Sequence, residues 1–265
     1  MMERKEVALQ REILQTQILS SMFAKTVENE LVLKGGLAFR TAVGSDRKTK
    51  DIDLGQSNEV PLERLQRVMR SSIKESLKAL NFVDFKVTEP KQTDTVARWK
   101  INGKTDMGSH LQLTVEVSRR GIPPKEHLER VKYIPPEEYD QPPILVDTYS
   151  KEALAASKAS AFLNPNRVAP RDLYDLHLLI TSEVKPSPKL LAGLGEDEIK
   201  RCLEDLWDKI EINNYELFKN EVIPFLPKEV AEKIDYDTYE DMRIRVGEHV
   251  EMWLKEAFEE CTMSP

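Results

Sequence analysis

Apolar positions along this chain recur with two different periods, and the changes between them lay out its elements. Over residues 4–28, Val7, Leu14, Ile18 and Met22 fall at helical spacing, and Leu9, Ile13, Leu19 and Phe23 widen the stripe. That pattern predicts an amphipathic helix packed on a sheet. The run Leu31-Val32-Leu33 is short and rich in strand formers; Gly35-Gly36 follows at once, and Leu37 to Val43 reads as the opening of a helix. At Asp51-Ile52-Asp53-Leu54 the period becomes two, so both carboxylates share one face of a strand and the apolar pair points to the core. Pro61 suits the first turn of another helix, with Leu62, Leu65, Val68, Met69, Ile73, Leu77 and Leu80 on one side. Phe82–Thr88, Thr93–Ile101 and His110–Ser118 read as strands, joined by a proline-containing turn and then by a loop opening with Asn-Gly.

Gly121 to Pro143 carries three proline pairs among mostly polar residues, which resist helix and central strand alike and predict a connecting arm. Ile144-Leu145-Val146 reads as one more strand. Beyond Tyr149 the pattern turns helical, with Ser150 as N-cap, Lys158 and Phe162 along the helix, a break at Asn164-Pro165-Asn166 and a second helix from Arg171. From Leu190 to Cys261 further helices follow, with Trp207 and Trp253 at core positions. The expected architecture is an α+β domain with a mixed sheet and flanking helices over residues 1–148, then a helical C-terminal domain over 149–265.

Composition changes this picture little. The 265 residues give ample core, and the hydrophobic and charged fractions, 40% and 32%, are those of a soluble globular protein. No stretch is apolar for long enough to cross a bilayer, the first residues lack the apolar core of a signal peptide, and Cys202 and Cys261 have no CxxC spacing. A cytoplasmic protein with free thiols is expected, with no membrane contact. The net charge of −7 looks unfavourable for a nucleic-acid binder until it is placed. Glu229 to Pro265 holds eleven acidic residues against four basic ones, so the remainder is neutral. Its basic residues gather at Lys34, Arg40, Arg47, Lys48 and Lys50, a local field suited to a nucleoside triphosphate or an RNA end. The plainer alternative for Lys48 and Lys50 is a solvated loop.

A strand, two glycines and a helix start form a phosphate-binding corner, because glycine admits a close ligand and free N–H groups at the helix terminus face it. Two carboxylates held side by side repel, and a divalent cation with oxygen preference, Mg²⁺ or Mn²⁺, relieves that. Separately, each feature has a simpler explanation: an ordinary turn, and a solvated strand face. The histidines have neither metal spacing nor a nucleophilic partner, and no nucleophile-based site is apparent.

In this order and spacing the two features resemble the nucleotidyltransferase superfamily, and more closely the AbiEii/AbiGii-type toxin family. Its pattern resembles Leu-Lys-Gly-Gly-x-Ala-x-Arg, followed by Arg-x-Ser/Thr-x-Asp-Ile/Leu-Asp. Leu33 to Arg40 and Arg47 to Asp53 fit it, except that Leu37 stands where the family often has Thr or Ser; backbone amides would have to replace that hydroxyl's contact with phosphate. Glu116, opposite the apolar face of the strand from Leu111 to Val117, is similar in place to the superfamily's third carboxylate. Lys158 with Arg171-Asp172-Leu173-Tyr174-Asp175 resembles the family's second signature, although by spacing alone a structural salt-bridge cluster explains it equally.

The resemblance implies a metal-dependent nucleotidyltransferase that moves a nucleoside monophosphate from an NTP to an acceptor hydroxyl. Asp51, Asp53 and Glu116 would hold Mg²⁺ or Mn²⁺. Lys34, Gly35, Gly36, Arg40, Arg47, Lys158, Arg171, Asp172 and Asp175 would bind nucleotide, with Lys158 also balancing charge on the leaving pyrophosphate and the helical domain contributing to the cleft. A toxin of a bacterial toxin–antitoxin or phage-defence system is implied, with a cognate antitoxin and a tRNA end, another RNA or a protein side chain as acceptor. Arg98, Lys100, Arg119 and Arg120 add positive charge around the expected cleft. The alternatives are an inactive nucleotide- or RNA-binding module of the same fold, or a metal-dependent nuclease, which would not need the glycine corner.

Overall fold

The computed structural model describes residues 2–82, 84–105 and 108–263, with side chains from residue 6 onward. The chain separates into two compact units, one of residues 1–41 and 48–149, the other of residues 42–47 and 150–265. In chain order the first contains α1 (Met2–Phe23), β1 (Val32–Lys34), the start of α2 (Gly35–Val43), β2 (Asp51–Gly55), α3 (Leu62–Ala79), β3 (Lys86–Gln92), β4 (Val96–Lys104), β5 (His110–Ser118), β6 (Leu128–Tyr133) and β7 (Ile144–Tyr149).

Among the described residues the seven strands form one sheet in the order β3-β4-β5-β2-β1-β7-β6. β2 runs parallel to β5 and antiparallel to β1, and β1 runs parallel to β7, so the sheet is mixed. The carboxylate strand β2 is thereby an interior strand. Its Ile52 and Leu54 are fully buried, as are Trp99, Ile101, Val115 and Val117 on the neighbouring strands. Alternation leaves Asp51, Asp53, Thr114 and Glu116 part-exposed on the other face. α1 packs on α3 and touches β5 and β7, with Leu14, Ile18, Leu19 and Met22 wholly buried. In α3, Leu65, Val68, Met69, Ile73 and Leu77 fall at helical spacing and are buried, joined by Ser72 and Ser76. Each such side chain contributes about 1.5–3 kcal/mol of apolar transfer.

Three sequence expectations shift. The strand expected from Phe82 begins at Lys86, because Phe82 and Phe85 stack on each other (centroids 4.9 Å apart) before the strand starts; Val83 lies outside the described residues. Pro90 lies inside β3, at a register shift between Thr88 and Lys91, where an edge strand tolerates it. The proline-rich arm contains strand β6, which pairs with β7 alone and forms the other edge of the sheet.

The second unit holds α4 (Lys151–Leu163), α5 (Pro170–Thr181), α6 (Pro188–Ala192), α7 (Glu196–Ile212), α8 (Tyr215–Glu221), α9 (Lys228–Ala231) and α10 (Tyr236–Met263). Ser150 caps α4 as expected, its hydroxyl accepting from the Ala153 N–H. The long α10 packs against α5, α6 and α7 through Met242, Val246, Val250, Trp253, Leu254 and Ala257. Trp253 is core, but Trp207 is 41% exposed, its ring edge against Gly247 and its indole N–H donated to Glu251. No described helix is long and apolar enough to cross a membrane.

Candidate active site

Short β1 delivers the chain directly into α2, and Gly35 makes that corner with φ +65°, a conformation L side chains rarely adopt. The corner lies against the carboxylate strand. A Cβ on Gly35 would stand 2.2 Å from Asp53 Oδ2 and 2.7 Å from Asp53 Cβ. The absent side chain is therefore the space that the Asp53 carboxylate occupies. Leu37 is 1% exposed and belongs to the core.

Register completes the constellation. Lys34 pairs with Asp53, Asp53 with Glu116, Glu116 with Arg98, and Arg98 with Lys91. Residues in register on adjacent strands share a face, about 4.8 Å apart along the hydrogen-bonding direction. One row across five strands thus reads Lys34, Asp53, Glu116, Arg98, Lys91. The next row on this face reads Asp51, Thr114, Lys100, with Thr114 between the two charges. Burial pulls the Lys34 pKa down, partly countered by Asp53 and Glu116. Arg98 donates through both Nε and Nη2 to Glu116 Oε2, the former at 2.7 Å.

Asp51 borders a polar cleft of about 280 Å³ lined by Arg11, Lys50, His110, Gln112 and Thr114. Arg11 reaches it from α1 and donates its Nε to the Gln112 carbonyl at 2.9 Å. Burial lowers the Arg11 pKa against the opposing pull of Asp51 and Glu12.

Oxygen donors on one face suit a hard divalent cation. Among the described residues no three acidic, histidine or cysteine side chains already converge as a metal cage. Mg²⁺ does not need one, since it is commonly held by one or two carboxylates plus substrate phosphates and water. Asp51 and Asp53 fit that role, while Glu116 is held by Arg98.

The other expected site residues are placed differently. Arg40 donates to Glu12, a buried carboxylate shared with Lys48. In the second unit, Arg47 makes a two-pronged pair with fully buried Asp175, at 3.0 and 2.8 Å. Lys158 lies 2.6 Å from Asp175 and 3.0 Å from Asp172, and Arg167 also pairs with Asp172. Burial works against charge on Asp175, but Lys158 and Arg47 outweigh it and hold its pKa below the usual carboxylate range. Arg171 donates to the Glu221 carbonyl and stacks over Phe225. Arg119, expected beside the cleft, is buried instead and anchors the 56–60 turn through Gln56 and the Val60 carbonyl. Arg120 beside it is exposed.

Sequence reasoning missed Arg11 and the pairing of Arg98 with Glu116. The first comes from a remote helix and leaves no local signal. The second was accessible in principle, as opposite charges on two consecutive strands.

A glycine corner packed under one carboxylate of an Asp-x-Asp strand, with a glutamate in register on the next strand, defines a nucleotidyltransferase. The solved structures agree on the fold. JHP933 from Helicobacter pylori is 19% identical with a TM-score of 0.57, the match covering 96% of this chain and 93% of that one. A putative nucleotidyltransferase from H. pylori is 18% identical with a TM-score of 0.54, covering 96% of both. No curated protein matches by sequence. A family profile described as "Nucleotidyl transferase AbiEii toxin, Type IV TA system" matches residues 17–262, and the chain belongs to this AbiEii family of nucleotidyltransferase toxins.

Proposed function

We propose that the chain transfers a nucleoside monophosphate from an NTP to a hydroxyl at an RNA end, with a divalent metal held at Asp51 and Asp53, and that an antitoxin restrains it. The contact that supports this reading is Gly35 packed against the Asp53 carboxylate. Bound there, Mg²⁺ or Mn²⁺ would neutralise phosphate charge and acidify the attacking hydroxyl. Gly35 and Gly36 offer backbone N–H groups to the phosphates, and Lys34, in register with Asp53, supplies the adjacent cation. Asp51 and Asp53 would hold the metal, and Glu116 would accept the acceptor's proton or join them as a metal ligand. In the second unit Arg47 and Lys158 pair with Asp175, and Lys158 and Arg167 with Asp172. Lys158 is proposed to answer phosphate charge, and Lys158→Gln should raise KM for NTP.

The test incubates the protein with each α-labelled NTP, Mg²⁺ and total RNA, then treats the product with nuclease or protease. Label lost to nuclease alone, and absent with Asp51→Asn or Asp53→Asn, is expected. Label lost to protease alone would move the acceptor to protein.

A further inference from the structure

We infer that the cleft beside Asp51 is the docking site for the sugar-phosphate end of the acceptor strand, separate from the nucleotide's corner beside Asp53. This rests on the proposed transfer to RNA and adds where that RNA is held.

The two carboxylates of β2 have different neighbours. Asp53 is packed against Gly35 and lies in register with Lys34. Asp51 lies one row further along the same face and opens into the cleft lined by Arg11, Lys50, His110, Gln112 and Thr114. A hydroxyl attacking a nucleotide held at the glycine corner would need room beside it on this face, and the cleft at Asp51 lies one row away from Asp53.

The lining points to a polyanion. Arg11 and Lys50 are cationic, Asp51 is the lining carboxylate that faces Arg11, and His110, Gln112 and Thr114 add polar groups. Arg11 is the built part. Its Nε bond to the Gln112 carbonyl fixes the guanidinium against β5, and among the described residues this is the one hydrogen bond made by its five N–H donors. A guanidinium held in that way is suited to two-pronged phosphate recognition. At about 280 Å³ the cleft falls near the lower end of small-ligand pockets, room for about one sugar-phosphate. A peptide offering a Ser, Thr or Tyr hydroxyl matches Arg11 and Lys50 only where acidic residues flank that hydroxyl. A nucleic-acid strand brings one phosphate per nucleotide.

The test measures binding of a fluorescein-labelled 12-nucleotide single-stranded RNA to the full chain by anisotropy, without NTP or metal, and binding of an NTP separately. Arg11→Glu and Lys50→Glu should each weaken RNA at least ten-fold and change NTP affinity less than two-fold. Each lost phosphate contact should reduce the slope of log K against log salt by about 0.7. If Arg11→Glu misfolds, Lys50→Glu at an exposed position carries the same test. As a variant-free check, 4-thiouridine at the RNA 3′ terminus should cross-link to peptides containing Arg11 or His110–Thr114. Unchanged RNA affinity in the folded variants, or cross-links only elsewhere, would overturn the cleft assignment even while wild-type protein still labels RNA. Wild-type protein that labels only protein would overturn both the assignment and RNA as acceptor.

Discussion

Replacing Gly35 by alanine probes the contact on which the site depends. The residue has φ +65°, and an L side chain in the left-handed region costs about 1–2 kcal/mol. The new methyl would also lie 2.2 Å from Asp53 Oδ2 and 2.7 Å from its Cβ, well inside van der Waals contact. Relieving such an overlap typically costs about 1–3 kcal/mol, so the variant should lose about 2–5 kcal/mol. A double-mutant cycle separates the two parts. Asp53→Ala would leave the Cβ in place, so Asp53→Gly is the background that removes the whole clash. In that background Gly35→Ala should cost only the backbone part, giving a coupling of about 1–3 kcal/mol by urea unfolding. Gly35→Ala should also abolish Mn²⁺ binding by displacing the carboxylate. An equal cost in both backgrounds, or unchanged Mn²⁺ binding, would refute the packing of the corner against Asp53.

Other consequences follow from the ion pairs. Asp175→Asn leaves Arg47 and Lys158 facing a neutral partner in a buried place and should cost about 3–5 kcal/mol at neutral pH. Because the folded pKa of Asp175 lies below its unfolded value, its stabilisation is present above about 3.8 and is lost as pH falls through the folded value. Acid titration followed by circular dichroism should therefore show a loss of stability below that pH that is smaller in Asp175→Asn. Arg98→Ala frees Glu116 and should tighten Mn²⁺ binding several-fold by calorimetry, equivalent to about 1 kcal/mol for a part-exposed pair. Arg120→Glu should raise KM for RNA in a normally folded protein, whereas Arg119→Glu should lower the melting temperature, since Arg119 anchors the 56–60 turn.

Much of the fold was legible because it rests on local periodicity. The α1 and α3 stripes, the alternation at 51–54 and 111–117, and the Ser150 cap each follow from neighbours within a few residues. β6 was hidden because Leu128–Tyr133 has a mostly polar edge-strand pattern between proline pairs, and among the described residues it pairs with β7 alone. Trp207 follows the helical stripe but lies at its margin, where Gly247 admits the ring edge and the side chain stays 41% exposed. The carboxylates could be named from Asp-x-Asp and strand alternation. Their arrangement depends on register between strands some sixty residues apart, which pattern alone does not encode. The same holds for Arg47 and Asp175, 128 residues apart and joined in one buried pair.

The most direct measurement of the central claim compares one NTP labelled at the α-phosphate with the same NTP labelled at the γ-phosphate, each incubated with Mg²⁺ and RNA. Nucleotidyl transfer through Asp51 and Asp53 should place the α label on the acceptor, release the γ label as pyrophosphate, and stop in Asp53→Asn. Transfer of the γ label, or α-label transfer that persists in Asp53→Asn, would contradict it.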